Sequence, residues 1–330
     1  MNHKKTVGTI KDGYSLDTLE VTSDYYLTKN HQTQYYQALR KQTQIAKLKQ
    51  IIDVTTPQRR KVYWKTYHCN RVKLQLGDKM QGSLCRKRWC QHCNRIKTAE
   101  LIKGYQAPLK AMQEDEQFYH VVLTAPTVQA RQLRSEIKKR YKAFIAVKDN
   151  MRKHYKIKLN GIRKTEITYN ESEDWFNPHF HVIVQGKESA ELLQKLWLKQ
   201  FPRASKKGQA IIFIDPSNAN NLIEVFKYAV KDVTSDTTTA KAMDIIYTAL
   251  DGIRTIQTFG SIRKVKEPKE ALTEGSKIDW INPINEIWVF NENIADYTNA
   301  RGYTMIGTKE LNKLNYANKD IQEHININTV

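Results

Sequence analysis

Alternation of apolar and polar residues predicts several short strands in the middle of this chain. Residues 118–127 read FYHVVLTAPT, a β-branched run that is closed by Ala-Pro. Residues 161–169 and 178–185 are two further strand-like runs separated by a polar loop, so they predict an antiparallel hairpin. Shorter strands are predicted at 209–214 and 287–290. Together these runs indicate a sheet built mainly of antiparallel pairs.

The segments between these runs have helical spacing instead. Residues 26–52 contain no Gly or Pro, are strongly basic, and end before the Thr-Thr-Pro of 55–57, which predicts a helix. Further helices are predicted at 128–159, 189–200 and 220–232, whereas the Thr- and Ala-rich residues 235–245 fit a loop or a frayed helix. The sequence therefore predicts the α+β class, with a central antiparallel sheet flanked by helices.

The charge of the chain points to a polyanionic partner. It has 54 Lys and Arg against 34 Asp and Glu, a formal net charge of +20. Nucleic acid is the leading expectation for such a balance. The basic run within 134–164 predicts phosphate contacts by Lys138, Lys139 and Arg140, although such a run is also typical of a solvated helix face. No apolar window approaches the roughly 18 residues that cross a membrane, and no leader pattern follows the first residues, so we expect a cytoplasmic protein without membrane contact.

Four cysteines are too few for a disulfide framework in a chain of this length, and a metal site is the better interpretation. Cys90 and Cys93 form a Cys-x-x-Cys pair, which offers half of a tetrahedral Zn²⁺ site, and two cysteines before it can complete the set. All-sulfur ligation leaves no place for water, so the zinc would be structural. His68 or His92 could replace one ligand, and four buried free thiols are the alternative. The four are Cys69, Cys85, Cys90 and Cys93.

Basic residues surround this predicted knuckle and indicate that it also touches the phosphate backbone. The basic residues are Arg86, Lys87, Arg88, Arg95 and Lys97, and the first four are the predicted DNA contacts.

A second candidate metal site lies in the stretch WFNPHFHVIVQG, residues 175–186. In a strand, His179 and His181 share one face, while Phe180 and its apolar neighbours line the other. Glu166 on the preceding strand is the candidate third ligand, but a register shift of one residue would turn it to the opposite face. Two imidazoles and a carboxylate suit Mn²⁺ or Mg²⁺. Ordinary histidines of a half-buried strand are the alternative.

The segment NLIEVFKYAVKD, residues 221–232, carries a candidate nucleophile. On a helix, Glu224, Tyr228 and Lys231 form one stripe, opposite the apolar side that includes Leu222 and Phe226. A phenol with a pKa near 10 is a poor nucleophile unless a nearby cation stabilises the phenolate or a metal activates the electrophile. An exposed helix with an ordinary Glu/Lys pairing pattern is the alternative.

Together these motifs resemble the replication initiator (Rep) proteins of small rolling-circle plasmids, in the single-tyrosine, E-x3-Y branch of the HUH endonuclease superfamily. The resemblance covers most of residues 60–265 and rests on motifs in a fixed order. They are C-x4-C-x2-C, VVLTAP, E-x-T-Y-N, PHFHV, E-x3-Y-x2-K and IRTIQTFGSIRK. The chain departs from the family at Gln91, where proline is usual.

The resemblance implies a ferredoxin- or RRM-like nuclease fold and a metal-dependent enzyme that nicks and rejoins single-stranded or hairpin DNA at a plasmid double-strand origin. The metal would be held by the two histidines, with Glu166, and would polarise the scissile phosphate. Tyr228 would attack it, leaving a 5′-phosphotyrosyl link and a 3′-OH primer. Lys231 would stabilise the charge, and Glu224 would activate water for the terminating cleavage.

The resemblance also implies a division of the chain into four parts: a basic helical region at 1–60, with a poorly ordered start, a zinc knuckle at 61–105, the endonuclease at 106–265, and an extension of unknown role at 266–330. The Asn-rich tail from Asn315 predicts a short helix followed by disorder. The sequence leaves origin specificity and formation of a homo-oligomer open.

Two other interpretations share part of this evidence. A non-catalytic zinc-knuckle DNA-binding regulator accounts for the charge and the cysteines but not for the stripe on the tyrosine helix. A transposase or relaxase of the same superfamily would use the same chemistry. No G-x4-G-K-[ST] motif is present, so unwinding would come from a host helicase, with a host polymerase extending the primer.

Overall fold

The computed structural model describes residues 26–28, 31–76, 79–226, 239–265 and 286–306. Within these residues the chain forms two five-stranded antiparallel sheets, with helices packed against them. This architecture confirms the predicted α+β class. No helix among these residues has the length and apolar character needed to cross a membrane.

The strands and helices are numbered in chain order. The strands are β1 (Tyr26–Thr28), β2 (Val72–Leu76), β3 (Lys79–Gly82), β4 (Phe118–Leu123), β5 (Gly161–Asn170), β6 (Trp175–Gln185), β7 (Ala210–Ile214), β8 (Ile256–Phe259), β9 (Glu286–Asn291) and β10 (Asp296–Asn299). The helices are α1 (His31–Val54), α2 (Pro57–Tyr67), α3 (Gln91–Gln113), α4 (Leu133–His154), α5 (Lys187–Gln200), α6 (Ala219–Phe226) and α7 (Ala240–Ala249), with 3₁₀ turns at Ala130–Gln132 and Lys206–Gly208.

The central sheet has the strand order β7-β4-β6-β5-β8. Its middle is the predicted hairpin, in which β5 and β6 pair along their whole length from Gly161↔Val184 to Asn170↔Trp175. A short polar turn joins the two strands, and alternate residues of each strand face opposite sides. The hairpin and the strands predicted at 118–127 and 209–214 are therefore confirmed.

The two faces of the central sheet pack against different helices. On one face, Phe180, Val182 and Val184 of β6 pack in a cluster with apolar residues of α4 and α5, including Phe144 and Trp197. On the other face, Ile162 and Ile183 pack in a cluster with residues of α3 and α6. Because His179 and His181 share the face of Ile183, the candidate metal ligands lie on the α3/α6 side.

The second sheet, here called the terminal sheet, joins segments that are far apart in the chain. Its order is β1-β3-β2-β9-β10, and β2 pairs with β9 from Val72↔Val289 to Gln75↔Glu286. β9, which lies in the segment assigned from the sequence to an extension of unknown role, thus pairs with a strand of the predicted knuckle segment. The division of the chain into four domains stays a prediction.

Several boundaries differ from the sequence prediction. The helix predicted from residue 26 begins at His31, after the short strand β1, and the helix predicted over 128–159 is reduced to α4. Val128 instead pairs with Phe176, which keeps the chain extended there. Residues 235–245, for which the sequence predicted either a loop or a frayed helix, contain the start of α7, whose first turn is capped by Thr239. Residues 1–25 and the Asn-rich tail lie outside the described residues.

Candidate metal centre

The register of the central hairpin brings the three predicted ligands together. Glu166 pairs directly with His179, and Lys164 pairs with His181. Residues that face each other in an antiparallel pair point to the same side of the sheet. Glu166 therefore shares a face with both histidines, which is the register that the sequence left open.

Glu166, His179 and His181 form a compact set of ligand atoms, here called the metal group. His181 Nε2 lies 3.1 Å from His179 Nε2 and 3.2 Å from Glu166 Oε2, and one ligand atom from each residue lies within 4.8 Å of the others. The Asn177 carbonyl lies 2.9 Å from His179 Nδ1, which leaves Nε2 directed toward the group. Two imidazole nitrogens and one carboxylate fit a divalent ion with room for further oxygen ligands.

Lys164 is a neighbour of this group that the sequence interpretation did not include. Its side chain is fully buried, and Nζ donates to Glu166 Oε2 at 2.8 Å. Burial alone would raise the pKa of Glu166, but the ammonium of Lys164 and the two imidazoles hold that pKa well below its usual value. The carboxylate is therefore ionised and ready to bind a cation.

His120 on β4 is a second neighbour that the sequence interpretation missed. Its Nε2 lies 2.9 Å from Nδ1 of His181, and the two rings stack with centroids 5.1 Å apart at 19°. Burial, with the nearby histidines, lowers the pKa of His120 to about 3, so its ring is neutral. The only sequence signal was the position of His120 in the alternating run 118–127, which does not reveal its partner strand.

Helix α6 approaches the same face of the sheet as the metal group. Leu222, Ile223 and Val225 are buried in the cluster that contains Ile162 and Ile183. The end of α6 is attached to α3, because Thr98 Oγ1 donates to the Phe226 carbonyl at 3.1 Å. The backbone of Glu224 lies in α6, whereas its side chain, Tyr228 and Lys231 lie outside the described part of the chain.

The four cysteines also meet in one cluster, and three are buried. Cys69 Sγ lies 3.5 Å from the sulfurs of Cys90 and Cys93, and Cys85 Sγ lies 3.7 Å from that of Cys93. In a tetrahedral site with Zn–S bonds of about 2.3 Å, neighbouring sulfurs lie about 3.8 Å apart. The cluster therefore has the size and the donor set of a four-sulfur zinc site, without a histidine ligand.

Backbone amides of the loop after β3 point at these sulfurs. The Cys85 amide donates to Cys69 Sγ at 3.3 Å, and the Arg86 amide donates to Cys93 Sγ at 3.2 Å. At Gln91, where the resembled family has proline, the amide donates to Gln44 Oε1 of α1 at 2.9 Å. A proline has no amide hydrogen, so this departure from the family pattern adds a bond between α1 and the cysteine cluster.

The predicted DNA-contacting residues around the cluster differ in accessibility. Arg86 is exposed, and Lys87, Arg88 and Arg95 are partly exposed. Arg88 Nη1 donates to the carbonyls of Leu250 at 3.0 Å and Ile253 at 2.9 Å, so part of its guanidinium is used within the fold.

The basic run on α4 contains one residue that the sequence placed wrongly. Lys138 and Lys139 are exposed, but Arg140 is 1% exposed and points into the fold. Its guanidinium donates to the carbonyls of Pro126 and Pro178, and burial lowers the pKa of Arg140 to about 10. Arg140 therefore holds α4 against the strand that carries His179 and has no surface for a phosphate.

Comparison with known proteins places the chain among replication proteins. A family model described as "Replication protein" matches residues 77–300, a range that contains the metal group and three of the four cysteines. A protein named "Protein rep" from Staphylococcus aureus is 30% identical over 170 residues, which are 46% of this chain and 71% of that protein.

Two further proteins with the same name are more distant. One from Lactiplantibacillus plantarum is 26% identical over 212 residues, 57% of this chain and 67% of its own length. One from Streptococcus pneumoniae serotype 2 is 22% identical over 207 residues, 57% of this chain and 63% of its own length. No solved structure matches the chain.

Proposed function

This chain belongs to the replication protein family, and from that premise we propose that it initiates plasmid replication by nicking and rejoining origin DNA at the metal group. The observation that carries the proposal is the arrangement of Glu166, His179 and His181 on one face of a sheet, with α6, whose backbone includes Glu224, packed on the same face. In this proposal the three residues are the metal ligands of an HUH endonuclease.

In this proposal the residues divide the chemistry between them. A divalent ion, Mn²⁺ or Mg²⁺, would be held by the metal group and would polarise the scissile phosphodiester. The Tyr228 hydroxyl gives its proton to water, and its oxygen attacks phosphorus. The bond from phosphorus to the 3′ oxygen breaks and that oxygen takes a proton from water, which leaves a 5′-phosphotyrosyl link on the protein and a 3′-OH for a host polymerase. Lys231 stabilises the negative charge that develops during the attack.

Glu224 has a separate role in termination. Glu224 precedes Tyr228 by four residues in the sequence, the spacing of neighbouring side chains on a helix, and in this proposal its carboxylate takes a proton from water near the same phosphorus. Water then replaces tyrosine as the nucleophile in the last cleavage, so one tyrosine is enough for a replication cycle. The bond energy kept in the phosphotyrosyl link makes rejoining independent of ATP.

The cysteine cluster binds structural zinc in this proposal, because all four ligands are sulfur and none of the four positions is left for water. Six basic residues contact the phosphate backbone of the origin in this proposal, and a host helicase unwinds the origin. They are Arg86, Lys87, Arg88, Arg95, Lys138 and Lys139.

The test is a denaturing gel that detects a covalent adduct between the protein and a single-stranded origin oligonucleotide in the presence of Mn²⁺. Wild type and Tyr155→Phe, which removes an exposed hydroxyl at the end of α4, are expected to form the adduct, and Tyr228→Phe is expected to form none. An adduct at the wild-type level in Tyr228→Phe would show that the nucleophile is wrongly assigned. DNA binding without cleavage under any divalent metal would favour the non-catalytic regulator.

The role of Glu224 is tested by its replacement with Ala. This variant is expected to form the first adduct normally but to release less DNA by hydrolysis at the termination step. Loss of the first adduct to the level of Tyr228→Phe would contradict the division of roles.

A further inference from the structure

A groove of about 890 Å³ lies between the loop of the cysteine cluster, α3 and the β8 edge of the central sheet. We call it the knuckle groove and define it by six of its lining residues. They are Arg86, Lys87, Lys97, Tyr105, Arg254 and Lys264.

The knuckle groove is strongly basic on both sides. Arg86 and Lys87 come from the cysteine loop on one wall, and Arg254 comes from the segment before β8 on the other. Its acidic lining residues are Glu100, which pairs with Lys97 at 3.6 Å, and Asp251. The positive charge that remains favours a polyanion whose phosphates pass between the two walls.

The groove extends to the face that carries the metal group. Lys164 lies at its floor and donates to Glu166 Oε2, so one buried side chain separates the groove from a metal ligand. Phe226, the last described residue of α6, also lines the groove. The opposite face of the central sheet is covered by α4 and α5. The groove therefore gives a basic surface that runs from the cysteine cluster to Lys164, the direct neighbour of the metal group.

A partly exposed aromatic ring within the groove favours a single strand over a duplex. Tyr105 stacks on Phe226 with centroids 5.6 Å apart at 18°, and because Phe226 is only 2% exposed, Tyr105 is the ring of this pair that a base can reach. Aromatic side chains beside a row of cations are the usual platform for unpaired bases. The amides of Arg86 and Lys87 bond to cysteine sulfurs, so this wall is fixed by the cluster.

We propose that the knuckle groove holds the scissile single strand and leads it across the cysteine cluster to the metal group. The proposal rests on the proposed function and adds a second task for the cysteine cluster, which is to position DNA-binding cations.

The test compares charge reversals in two places. The groove variant is Arg86→Glu/Arg254→Glu, with one change on each wall. The matched control is Lys195→Glu/Lys199→Glu, two exposed residues of α5 on the other face of the sheet with the same change in net charge. Binding of a fluorescein-labelled single strand of about 20 nucleotides and of the matching duplex is measured by anisotropy, without added divalent metal, over a range of salt concentrations.

The groove variant is expected to bind the single strand at least about tenfold more weakly than wild type. The slope of the logarithm of its binding constant against the logarithm of salt concentration is expected to be smaller in magnitude by about 1.4, at about 0.7 for each lost phosphate contact. The control is expected to change affinity by less than about twofold, because its charges lie on α5, which packs against the opposite face of the central sheet. Equal loss in both variants, or a larger loss for the duplex than for the single strand, would overturn the proposal.

Because no cleavage occurs in this assay, its result is separate from that of the adduct test. A groove variant that loses binding while Tyr228→Phe still forms the adduct would leave the strand path standing and refute the proposed chemistry. A groove variant with normal binding would refute the strand path alone. The thermal unfolding midpoint of each variant checks that it is folded.

A second inference concerns His120 and rests on its contact with His181, which is independent of the groove. His181 directs Nε2 to the metal group and Nδ1 to His120 Nε2, which lies 2.9 Å away. An imidazole that ligates through Nε2 carries its proton on Nδ1, and that N–H needs an acceptor. We infer that His120 is a positioning residue, which accepts this hydrogen bond and holds the plane of the His181 ring by stacking.

Two substitutions separate the hydrogen bond from packing. His120→Phe keeps a flat ring but removes the acceptor, and its affinity for Mn²⁺, measured by calorimetry, is expected to fall by about 10- to 100-fold. His120→Gln keeps an acceptor and is expected to recover most of this loss. Nitrogen NMR of the His181 ring in the Mg²⁺-bound protein is expected to show the proton on Nδ1 in wild type. Unchanged Mn²⁺ affinity in His120→Phe, or a proton on Nε2, would refute the role.

Discussion

Replacing Lys164 with Met tests the electrostatics of the metal group most directly. The substitution keeps an unbranched side chain of similar length but removes the ammonium, which lies 2.8 Å from Glu166 Oε2. Both side chains are removed from water, with 0% and 9% exposure, so the carboxylate that remains has little solvent to replace its partner. His181 is its remaining contact in the metal group, at 3.2 Å.

The expected loss of stability follows from the distance between Lys164 Nζ and Glu166 Oε2 and from the burial of both side chains. At 2.8 Å and an effective dielectric constant of about 20, the attraction between two unit charges is about 6 kcal/mol. The cost of desolvating both groups removes part of this, and breaking a buried pair on one side costs about 3–5 kcal/mol. We therefore expect the free energy of unfolding of the metal-free protein to fall by about 3–5 kcal/mol in Lys164→Met.

The assay is urea denaturation followed by circular dichroism, with and without Mn²⁺. The double variant Lys164→Met/Glu166→Gln is expected to recover much of the loss, because it leaves no unpaired charge. Added Mn²⁺ is expected to stabilise Lys164→Met more than wild type, since the ion no longer meets a competing ammonium. A loss below about 1 kcal/mol, or a double variant that is no more stable than the single one, would refute the reasoning.

Two further predictions concern the cysteine cluster and α4. Purified protein is expected to contain one zinc per chain by mass spectrometry, and Cys90→Ser is expected to lose the metal and unfold at a lower temperature. If metal-free wild type had the same thermal unfolding midpoint as the protein as purified, the zinc site would be contradicted. Arg140→Leu is expected to lower the free energy of unfolding by about 2–3 kcal/mol, because the carbonyls of Pro126 and Pro178 lose their donor, while the folded variant binds DNA as wild type does. Weaker DNA binding by folded Arg140→Leu would restore its predicted surface role.

The strands of the metal group were predictable because their patterns are local. Alternation in 161–169 and 178–185 predicts the hairpin, and the spacing of His179 and His181 places them on one face. The register was not predictable, because a shift of one residue gives an equally good alternating pattern with Glu166 reversed. Here the burial of Ile162 and Ile183 on the same face fixes the register.

His120 and Lys164 were missed for a related reason. Each belongs to the site through a strand pairing, and neither has a motif of its own. Arg140, in contrast, could have been placed correctly. It lies at helical spacing between Ile137 and Phe144, which are buried, so the pattern itself puts it on the core-facing side of α4. The basic composition of the run concealed that position.

The helices around the cysteines and the strand pairing of the terminal sheet could not be predicted from local sequence patterns. Helices α2 and α3 were not predicted, since the cysteine spacing in 67–101 suggested turns rather than a helix that begins directly after Cys90. The strand predicted at 287–290 is present as β9, but its partner β2 lies near the other end of the chain. Pairing across such a distance leaves no periodic signal within either segment.

The pairing of β2 with β9 also has a consequence for how the protein is made. During translation β2 leaves the ribosome before the central sheet, with the cysteine loop and α3 following it, but β9, which pairs with its edge, is synthesised only after the central sheet. A premature stop codon between residues 265 and 286 would spare the central sheet and still leave β2 with an unpaired edge, a template for association with other chains. A truncated chain can therefore contain every strand of the central sheet and still be prone to aggregation through β2.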